Sequence, residues 1–441
     1  MSILIYIFSK TDGLMKIFFI FQSTLLNILQ SVCIFAEEIN AERRITMNND
    51  TTSISKGSLP GLREKRYLQK KAIIGFLYKM GELSKPEICR LTNVTTPTVS
   101  RMIEELIEEG WVIDRGCGNS IGGKRPHVFS LNPDAAYILG VDIGREYIRV
   151  AIFNLQNEPL EGIQEYPSIL EKQDDEATLR YLQEKIDETI SLLNIERSKI
   201  KMAGFALPGL MDRNGVSFTY LAYKHPGIKR ILEDMLQIPV FIDNDSNVIA
   251  MAEHTFGVAR NVDNVLCVSV NECIGLGMIL NSKLYRGGSG MAGEFGHIRV
   301  AGEHEPCHCG KIGCLETVSS GRAIEKTAGM SLQKVIAAAR EDDISAIDIL
   351  HHAGEKLGEG VAMMIHLFNP DMVVIGGEVV KAGDLMIIPI QQAVNKYALA
   401  RMRSHCELKM SNLGVYSAIL GTLMMVMEHL YNDTECEYSL Y

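Results

Sequence analysis

Short apolar segments that end in glycine or small polar residues recur through most of the chain and alternate with helical patterns. Residues 138–144 have the pattern of a buried strand that enters a turn, and residues 148–153 are its expected hairpin partner. Alternation of strands and helices is typical of α/β proteins. The sequence therefore predicts an α/β body of two lobes with a cleft between them. Further strands are expected at 202–207, 239–243, 265–270, 276–280 and 372–375, and helices at 175–194 and 346–367.

The charge of the chain is unevenly distributed. Its 441 residues are enough for several structural units of about 100–200 residues each, and 46% hydrophobic residues exclude a mostly disordered or fibrous chain. A net charge of −10 argues against nucleic-acid binding. However, residues 56–125 carry thirteen Lys/Arg and eight Asp/Glu, a net of +5, whereas residues 126–441 carry −14. This asymmetry indicates a basic module ahead of an acidic body.

The first 46 residues do not match the rest of the chain. Residues 17–36 are strongly apolar, but several polar side chains interrupt them, so they would form a poor bilayer-spanning helix. Our preferred interpretation is that Met47 is the true start of the protein. An amphipathic, membrane-contacting helix and a signal peptide are the alternatives. We therefore treat residues 1–60 as an extension outside the fold, either a mis-assigned start or a disordered segment, and we expect no membrane association.

The basic segment has the pattern of a helix-turn-helix. Helical spacing of apolar residues predicts a helix over 65–79, and SKPE at 84–87 is a capping box that begins a second helix. TTP at 95–97 begins a third helix. In a helix-turn-helix, the second of the two helices places its N-terminal end in the major groove of DNA. Here that is the third helix of the segment. The side chains expected there are Thr96, Thr98, Ser100 and Arg101.

A glycine-rich tip between two predicted strands, 111–113 and 128–130, has the pattern of a wing. Lys124 and Arg125 lie in this tip, and we expect them to meet phosphates or the minor groove of DNA. Residues 61–132 are therefore assigned to a winged helix-turn-helix DNA-binding domain. The alternative is a small, basic protein-interaction domain. The acidic side chains behind the third helix, which we expect to be solvated, are Glu104, Glu105, Glu108 and Glu109.

Three of the ten cysteines lie within eight positions, in CHCGKIGC at 307–314. Such clustering in a large chain indicates a metal site more readily than disulfides, although three incidental buried cysteines are the alternative. Tetrahedral zinc prefers four nitrogen or sulfur ligands. Four protein ligands close the coordination shell, so the zinc would be structural. We choose His297 as the ligand beside Cys307, Cys309 and Cys314, and His308 and His304 are the alternatives.

Polar side chains that suit a polyhydroxylated ligand follow several predicted elements. Asn244 and Asp245 follow a strand, Glu294 and His297 lie in GEFGH at 293–297, and Glu316 follows the cysteine loop. Each sugar hydroxyl both donates and accepts hydrogen bonds, so a sugar requires carboxylates, amides and imidazoles around it. Each residue alone is commonly a cap or turn residue. Their combination predicts a sugar-binding cleft.

Residues 65–430 resemble the ROK family of repressors, open reading frames and sugar kinases. The motifs that carry the resemblance are GEFGH at 293–297, the cysteine loop with the Leu315-Glu316 that follows it, NDSN at 244–247 and PG at 208–209. The resemblance implies an actin-like (ribonuclease H-like) body over 137–432. Lobe 1 would cover about 137–245 plus the C-terminal helix, and lobe 2 about 246–415. By similarity, the sugar ligands would be Gly209, Asn244, Asp245, Glu294, His297 and Glu316, with Asp245 the catalytic base in a kinase.

The phosphate-binding loops differ from those of the family's kinases. There the first loop is Asp-x-Gly-Gly-Thr, but here Arg145 and Glu146 replace the second glycine and the threonine. The second loop, typically Gly-Thr-Gly-x-Gly, is NECIG at 271–275, in which Glu272 adds a negative charge. Carboxylates repel a triphosphate, so we do not expect ATP to bind.

Together, the helix-turn-helix and these altered loops resemble the transcriptional-repressor branch of the family, with its xylose- and N-acetylglucosamine-responsive members. We therefore predict a cytoplasmic, sugar-responsive transcriptional regulator that represses through operator DNA. A sugar or sugar phosphate would be the effector, and a homodimer or higher homo-oligomer would bind two half-sites. The alternative is an ATP-dependent kinase of a hexose or N-acetylhexosamine.

Overall fold

A computed structural model describes residues 60–117, 127–171, 174–223 and 227–432. The chain divides into two compact units, Met1–Glu64 and Lys65–Tyr441, and the described part of the first is the opening of one helix. The predictions made for residues 1–59 and for Lys124 and Arg125 lie outside the described residues. In the described ranges, no helix combines the length and the apolar content that crossing a bilayer requires.

The basic segment folds as three helices and a three-stranded antiparallel sheet. Its strands lie in the order β1-β3-β2, and the predicted hairpin is present, although its tip falls within residues 118–126. Buried side chains from all three helices, among them Ile73, Ile88 and Ile103, form its core. The elements are α1 (Pro60–Met80), β1 (Leu83–Ser84), α2 (Lys85–Thr92), α3 (Thr96–Glu108), β2 (Val112–Cys117) and β3 (His127–Leu131).

The predicted capping box begins α2. The backbone N–H and the hydroxyl of Ser84 both donate to the Glu87 carboxylate, at 2.8 and 2.6 Å. These hydrogen bonds hold the pKa of Glu87 below its ordinary value. Asn93 then ends α2 in the left-handed conformation, at φ 53°. The turn between α2 and α3 is thus determined by residues that the sequence supplies locally.

Lobe 1 is built on a five-stranded sheet of order β6-β5-β4-β7-β8. The predicted hairpin of β4 and β5 is confirmed as antiparallel, and β7 and β8 continue the sheet in parallel from β4. The elements are β4 (Tyr137–Ile143), β5 (Tyr147–Phe153), β6 (Gln164–Pro167), α4 (Asp175–Leu192), β7 (Ile200–Leu207), α5 (Ile228–Leu236), β8 (Val240–Asn244) and α6 (Asp245–Thr255).

Lobe 2 repeats this arrangement, with strands in the order β11-β10-β9-β12-β13. As in lobe 1, the first strand forms an antiparallel hairpin on one side and a parallel pair on the other. The elements are β9 (Val265–Val270), β10 (Ile274–Leu280), β11 (Lys283–Leu284), α7 (Glu316–Ser319), α8 (Gly321–Ala328), α9 (Leu332–Arg340), α10 (Ile344–Phe368), β12 (Met372–Gly376), α11 (Asp384–Tyr397), α12 (Ala400–Arg403) and β13 (Glu407–Met410).

The last helix, α13 (Ser417–Asn432), packs against the sheet of lobe 1 and against α6. Three glycines allow this close approach. A Cβ on Gly140 would lie 2.6 Å from Oγ1 of Thr422, and one on Gly204 would lie 2.5 Å from the carbonyl oxygen of Thr422. A Cβ on Gly421 would lie 1.9 Å from the carbonyl oxygen of Val248. Any larger residue at these positions would force the helix away from lobe 1.

The winged helix and lobe 1 share one apolar cluster. It runs from α1 and α3 through Ala136 and Ile138 to α13. Tyr78 of α1 donates its hydroxyl to the side chain of Asn157 in lobe 1, and it lies 3.7 Å from the sulfur of Met424 in α13. Burial raises the pKa of the Tyr78 hydroxyl far above its ordinary range. The basic segment is therefore packed onto the body and is not tethered by a free linker.

Candidate functional site

A cavity of about 590 Å³ opens between the two lobes. Its walls come from the turn after β4, the segments after β7 and β8, the β9–β10 turn and the segment that includes residues 292–297. The structure places all six residues of the predicted sugar site on this one cavity, and the two altered loops lie at the same cavity. The predicted residues on its wall are Gly209, Asn244, Asp245, Glu294, His297 and Glu316, together with Arg145, Glu146 and Glu272.

Asn244 and Asp245 are held at the junction of β8 and α6. Asn244 is the N-cap of α6: its side-chain oxygen accepts the N–H of Ser246 at 2.9 Å, and its amide donates to the carbonyl of Gly209 at 2.9 Å. Oδ1 of Asp245 accepts the Ser246 N–H at 2.7 Å. Burial raises the pKa of Asp245, and the hydrogen bonds from Ser246 oppose this rise. The bonds from Ser246 hold the Asp245 carboxylate in place on the cavity wall.

The GEFGH segment forms a single turn of 3₁₀-helix, Phe295–His297. Gly293 adopts φ 101°, and a Cβ there would lie 2.1 Å from the carbonyl oxygen of Leu276 in β10. Gly296 is similarly pressed against the carbonyl of Ile274. The two glycines thus explain why this segment can lie against β10 and present Glu294 and His297 to the cavity. Burial raises the pKa of Glu294, and His297 partly offsets this effect.

Glu316 is the most buried of the five polar side chains of the predicted sugar site, because it begins α7 beneath the β9–β10 turn. Its Oε2 accepts the backbone N–H of Ile274 at 3.4 Å, and its Oε1 lies 3.0 Å from Nδ1 of His308. His308 also lines the cavity. We did not predict this position for His308, because a residue between two metal-ligand candidates on a short loop is expected to point outward. Nothing in the local sequence indicates its orientation.

Four residues of the cysteine loop and the GEFGH segment can hold a metal ion. The ligand atoms of His297, Cys307, Cys309 and Cys314 all lie within 4.8 Å of one another. Nδ1 of His297 lies 3.6 Å from Sγ of Cys307, and the sulfurs of Cys309 and Cys314 are 3.7 Å apart.

The two other histidines considered as ligands fit less well. Nδ1 of His308 is 3.8 Å from Sγ of Cys307, but it is paired with Glu316, so its cluster is a different set of three residues, Cys307, His308 and Glu316. Among the described residues, His304 belongs to neither cluster of potential metal ligands.

The loops at the other end of the cavity bond to their own chain. The N–H of Gly144 donates to the carbonyl of Tyr147 at 2.9 Å, which closes the β4–β5 turn. The side-chain oxygen of Asn271 accepts the N–H of Glu378 at 2.8 Å, and its carbonyl accepts the N–H of Gly321 at 2.8 Å. The backbone N–H groups of Gly144, Gly321 and Glu378 are therefore already satisfied without an anion.

Charged side chains fill the space beside these loops. Arg149 pairs with Asp142 at 3.2 Å and with Glu165 at 2.8 Å. Burial raises the pKa of Asp142 to about 6, although Arg149 opposes the rise. Partial burial also raises the pKa of Glu146, and the nearby Glu272 raises it further. Asp142, Glu146 and Glu272 thus place several carboxyl groups at this end of the cavity, and their negative charge when ionised is unfavourable for a polyphosphate.

The front of α3 exposes the side chains predicted to contact DNA. Thr96 and Thr98 are exposed, Ser100 is half-buried, and the Arg101 side chain is 72% exposed. Arg101 lies 3.3 Å from Glu105 one turn later.

The prediction for the acidic back of α3 was partly wrong. Glu105 contacts Lys70 at 3.0 Å and also bonds to Arg66, and Glu109 contacts Lys70 at 2.6 Å. These carboxylates join α3 to α1 and are neutralised by the basic residues of α1. The sequence around α3 suggested four solvated acidic side chains. However, Arg66 lies 39 residues before its partner Glu105, and Lys70 lies 39 residues before its partner Glu109.

Comparison with known proteins agrees with this architecture. Residues 138–429 match the profile of the ROK family, and residues 68–118 match that of the MarR family. The xylose repressor of Caldicellulosiruptor bescii is 29% identical over 375 residues, which cover 80% of this chain and 94% of that protein. The DNA-binding transcriptional dual regulator NagC of Escherichia coli is 26% identical over 393 residues, which cover 85% and 96%.

Solved structures share the fold. A ROK family transcriptional regulator, a homologue of the E. coli MLC protein, superposes with a TM-score of 0.71 at 23% identity, over 84% of this chain and 97% of that chain. A ROK family glucokinase from Streptomyces griseus, in complex with glucose and AMPPNP, superposes with a TM-score of 0.57 at 25% identity, over 65% and 98%. The predicted fold class, a two-lobed actin-like body preceded by a winged helix-turn-helix, is confirmed.

The raised pKa of Asp142 predicts a specific dependence of stability on pH. The folded chain holds this proton up to about pH 6, whereas an unfolded aspartate loses it near about pH 3.9. Stability is therefore lost as the pH rises from about 4 to 6, by up to about 3 kcal/mol. We expect Asp142→Asn to gain about 2 kcal/mol in free energy of unfolding relative to the wild type between pH 4 and pH 7, measured by urea denaturation. Parallel pH profiles for the two proteins would contradict the assignment.

Proposed function

The chain belongs to the ROK family, and we propose that it is a sugar-responsive transcriptional repressor. Residues 61–132 bind operator DNA, and the cleft of the ROK body, residues 137–432, binds a small sugar effector. The observation that carries this proposal is the meeting of five polar side chains and Gly209 on one cavity, in a chain whose N-terminal half exposes the front of α3. Relatives named xylose repressor and NagC support the same function.

The sugar half of the cleft has the chemistry that hydroxyl groups require. Asp245, Glu294 and Glu316 supply acceptors, and Asn244 and His297 supply groups that can donate. Several of these atoms are already fixed by bonds to the backbone, so a sugar would find them oriented. Preorganised polar groups lower the entropic cost of binding.

In the half of the cavity that would hold a nucleotide, the wall is lined by charged and hydrogen-bonded groups of the chain itself. Arg145, Glu146 and Glu272 replace small residues, and Asn271 accepts the backbone N–H of Glu378. We propose that ATP is not bound and that the chain is not an enzyme. The competing function is a sugar kinase, which Asp245 favours because its carboxylate lies in the cavity and matches the catalytic base of the family's kinases.

We propose that the metal ion held by His297, Cys307, Cys309 and Cys314 is zinc, in a structural role. Tetrahedral geometry with Zn–S of about 2.3 Å and Zn–N of about 2.0–2.1 Å separates two sulfurs by about 3.8 Å, and a sulfur from a nitrogen by about 3.6 Å. The distances of 3.7 and 3.6 Å agree with this requirement. Zinc would fix the imidazole of His297, which also lines the sugar cavity.

Binding to DNA would use the exposed front of α3. Thr96, Thr98, Ser100 and Arg101 would contact base edges, and Lys124 and Arg125 of the wing would contact the backbone or minor groove. We propose a cytoplasmic homodimer or higher homo-oligomer that reads two half-sites. The effector would act by binding one arrangement of the lobes more tightly, and a tenfold preference corresponds to about 1.4 kcal/mol of coupling.

Arg101→Ala is expected to weaken DNA binding about tenfold or more, because an arginine contact to a base contributes about 1–3 kcal/mol. The probe is a duplex that the wild-type protein selects from a random-sequence library, and the readout is fluorescence anisotropy. Arg180→Ala is the matched control, because the Arg180 side chain is 71% exposed but belongs to α4 of lobe 1. Equal affinity of the Arg101 variant and the control would exclude α3 as the recognition helix.

A thermal-shift screen of neutral sugars and sugar phosphates should identify a ligand that raises Tm by a few degrees at 100 times its Kd, equivalent to about 2.7 kcal/mol. Asp245→Asn should abolish this shift. Asp234→Asn, a control on the exposed surface of α5, should keep it. ATP should give neither a shift nor sugar-dependent ADP formation, and steady ADP formation with any hexose would establish the kinase instead.

Cys309→Ser and His297→Ala are expected to lower the bound zinc from about one per chain to near zero, measured by inductively coupled plasma mass spectrometry after gel filtration. The sugar-induced thermal shift should disappear with the zinc. The controls are His308→Ala and Cys117→Ser, the latter a change in the winged helix. Both variants should retain the bound zinc. Full zinc content in the His297 variant with loss in the His308 variant would reverse the choice of histidine.

A further inference from the structure

Four charged side chains form a ring across the cleft at its nucleotide end. Arg145 and Glu171 belong to lobe 1, and Glu272 and Arg322 belong to lobe 2. Arg145 lies 3.5 Å from Glu171 and 3.9 Å from Glu272, and Arg322 lies 3.7 Å from Glu171 and 3.2 Å from Glu272. Each arginine thus contacts a carboxylate of its own lobe and one of the other lobe. We call these four residues the ion-pair ring.

The ring is fixed more firmly on lobe 1. The hydroxyl of Tyr220 donates to Oε1 of Glu171 at 2.7 Å, and the guanidinium of Arg145 lies 5.4 Å from the centre of the Tyr220 ring. The Arg145 side chain is only 14% exposed. Burial of Arg145 strengthens its ion pairs relative to pairs on an open surface, whereas the pair of Arg322 and Glu171, 51% and 40% exposed, is more accessible to solvent. The lobes are therefore joined here by the chain's own charges.

The surroundings of the ring are unfavourable for an added anion. The ring contains two positive and two negative groups, so its net charge is zero and each arginine already has carboxylate partners. Glu146 adjoins Glu272, and Asp245 lies near enough to Arg145 to interact with its charge. Both arginines are thus already paired with carboxylates, and the neighbouring Glu146 and Asp245 add further acidic groups.

We propose that the ion-pair ring makes the cleft select an uncharged sugar over the corresponding sugar phosphate. The inference rests on the proposed function, in which the cleft binds a sugar beside Asp245. A phosphate ester extending from Asp245 toward Arg145 would meet Glu146 and Glu272. To bind the arginines it would have to displace Glu171 and Glu272, which would leave two carboxylates without partners. A neutral sugar requires no such exchange.

The test compares matched pairs of ligands by isothermal titration calorimetry on the full-length protein. The pairs are D-glucose and D-glucose 6-phosphate, N-acetyl-D-glucosamine and its 6-phosphate, and D-xylose and D-xylose 5-phosphate. The wild type should bind the neutral member of its preferred pair at least about tenfold more tightly, which corresponds to about 1.4 kcal/mol. Glu272→Gln should lower this ratio about threefold or more, because it frees positive charge for the phosphate.

Glu176→Gln is the matched control, because this exposed glutamate also pairs with an arginine but lies on α4. Its ratio should equal that of the wild type. A wild type that binds the phosphate as tightly as the neutral sugar, or a Glu272→Gln ratio that is unchanged, would overturn the proposal while leaving sugar binding established. Absence of binding by every member of all three pairs would instead refute the proposed function, and the selectivity with it.

A second measurement tests the ring without a ligand. Glu171→Gln and Arg322→Gln remove one member from each lobe. If the two residues interact as described, their effects on Tm should be non-additive, with the double variant at least about 1 °C more stable than the sum of the single changes predicts. Strict additivity would show that the ring does not join the lobes in solution and would overturn its role in selectivity.

Discussion

The close contact of α13 with lobe 1 determines where both functional regions lie. Gly140 and Gly204 let the helix approach the sheet, and Gly421 lets it approach α6. As a result, Ser417 and Ala418 at its start line the ligand cavity. Met424, two turns later, contacts Tyr78 of the DNA-binding segment. One helix therefore touches the cavity at one end and the winged helix along its length, and both positions depend on the absence of three side chains.

The polar groups at the two ends of the cavity have different hydrogen-bond and ion-pair partners. At the end that we propose for the sugar, amide and carboxylate atoms of Asn244 and Asp245 are oriented by hydrogen bonds to backbone groups. At the nucleotide end, the polar groups satisfy one another, through Asn271 on the backbone and through the ion-pair ring. The overall charge of −10 thus averages a basic module with a body whose acidic residues are partly engaged in the cleft. Composition alone does not separate these roles.

Local patterns predicted the elements and the residues that line the cavity. The β4–β5 hairpin, the capping box of α2 and the positions after β8 follow from short stretches of sequence, because each depends on neighbours in the chain. Contacts between distant segments were not predictable in this way. Glu171 lies between β6 and α4, Tyr220 lies between β7 and α5, and Arg322 lies in α8. Only the folded arrangement of the two lobes brings these three residues to the surroundings of Arg145. The acidic residues behind α3 were misjudged for the same reason.

The junction between the winged helix and lobe 1 differs from an ordinary linker. The carbonyl of Pro133 accepts the N–H of Leu155 at 3.1 Å, and the apolar cluster continues across the junction. Residues Lys65–Tyr441 accordingly form one compact unit. A fragment that ended near residue 132 would expose apolar surface that is normally covered by α13, so it would not reproduce the stability of the same residues in the whole chain. The winged helix and the two-lobed body therefore belong to one compact unit, where the sequence suggests separate domains.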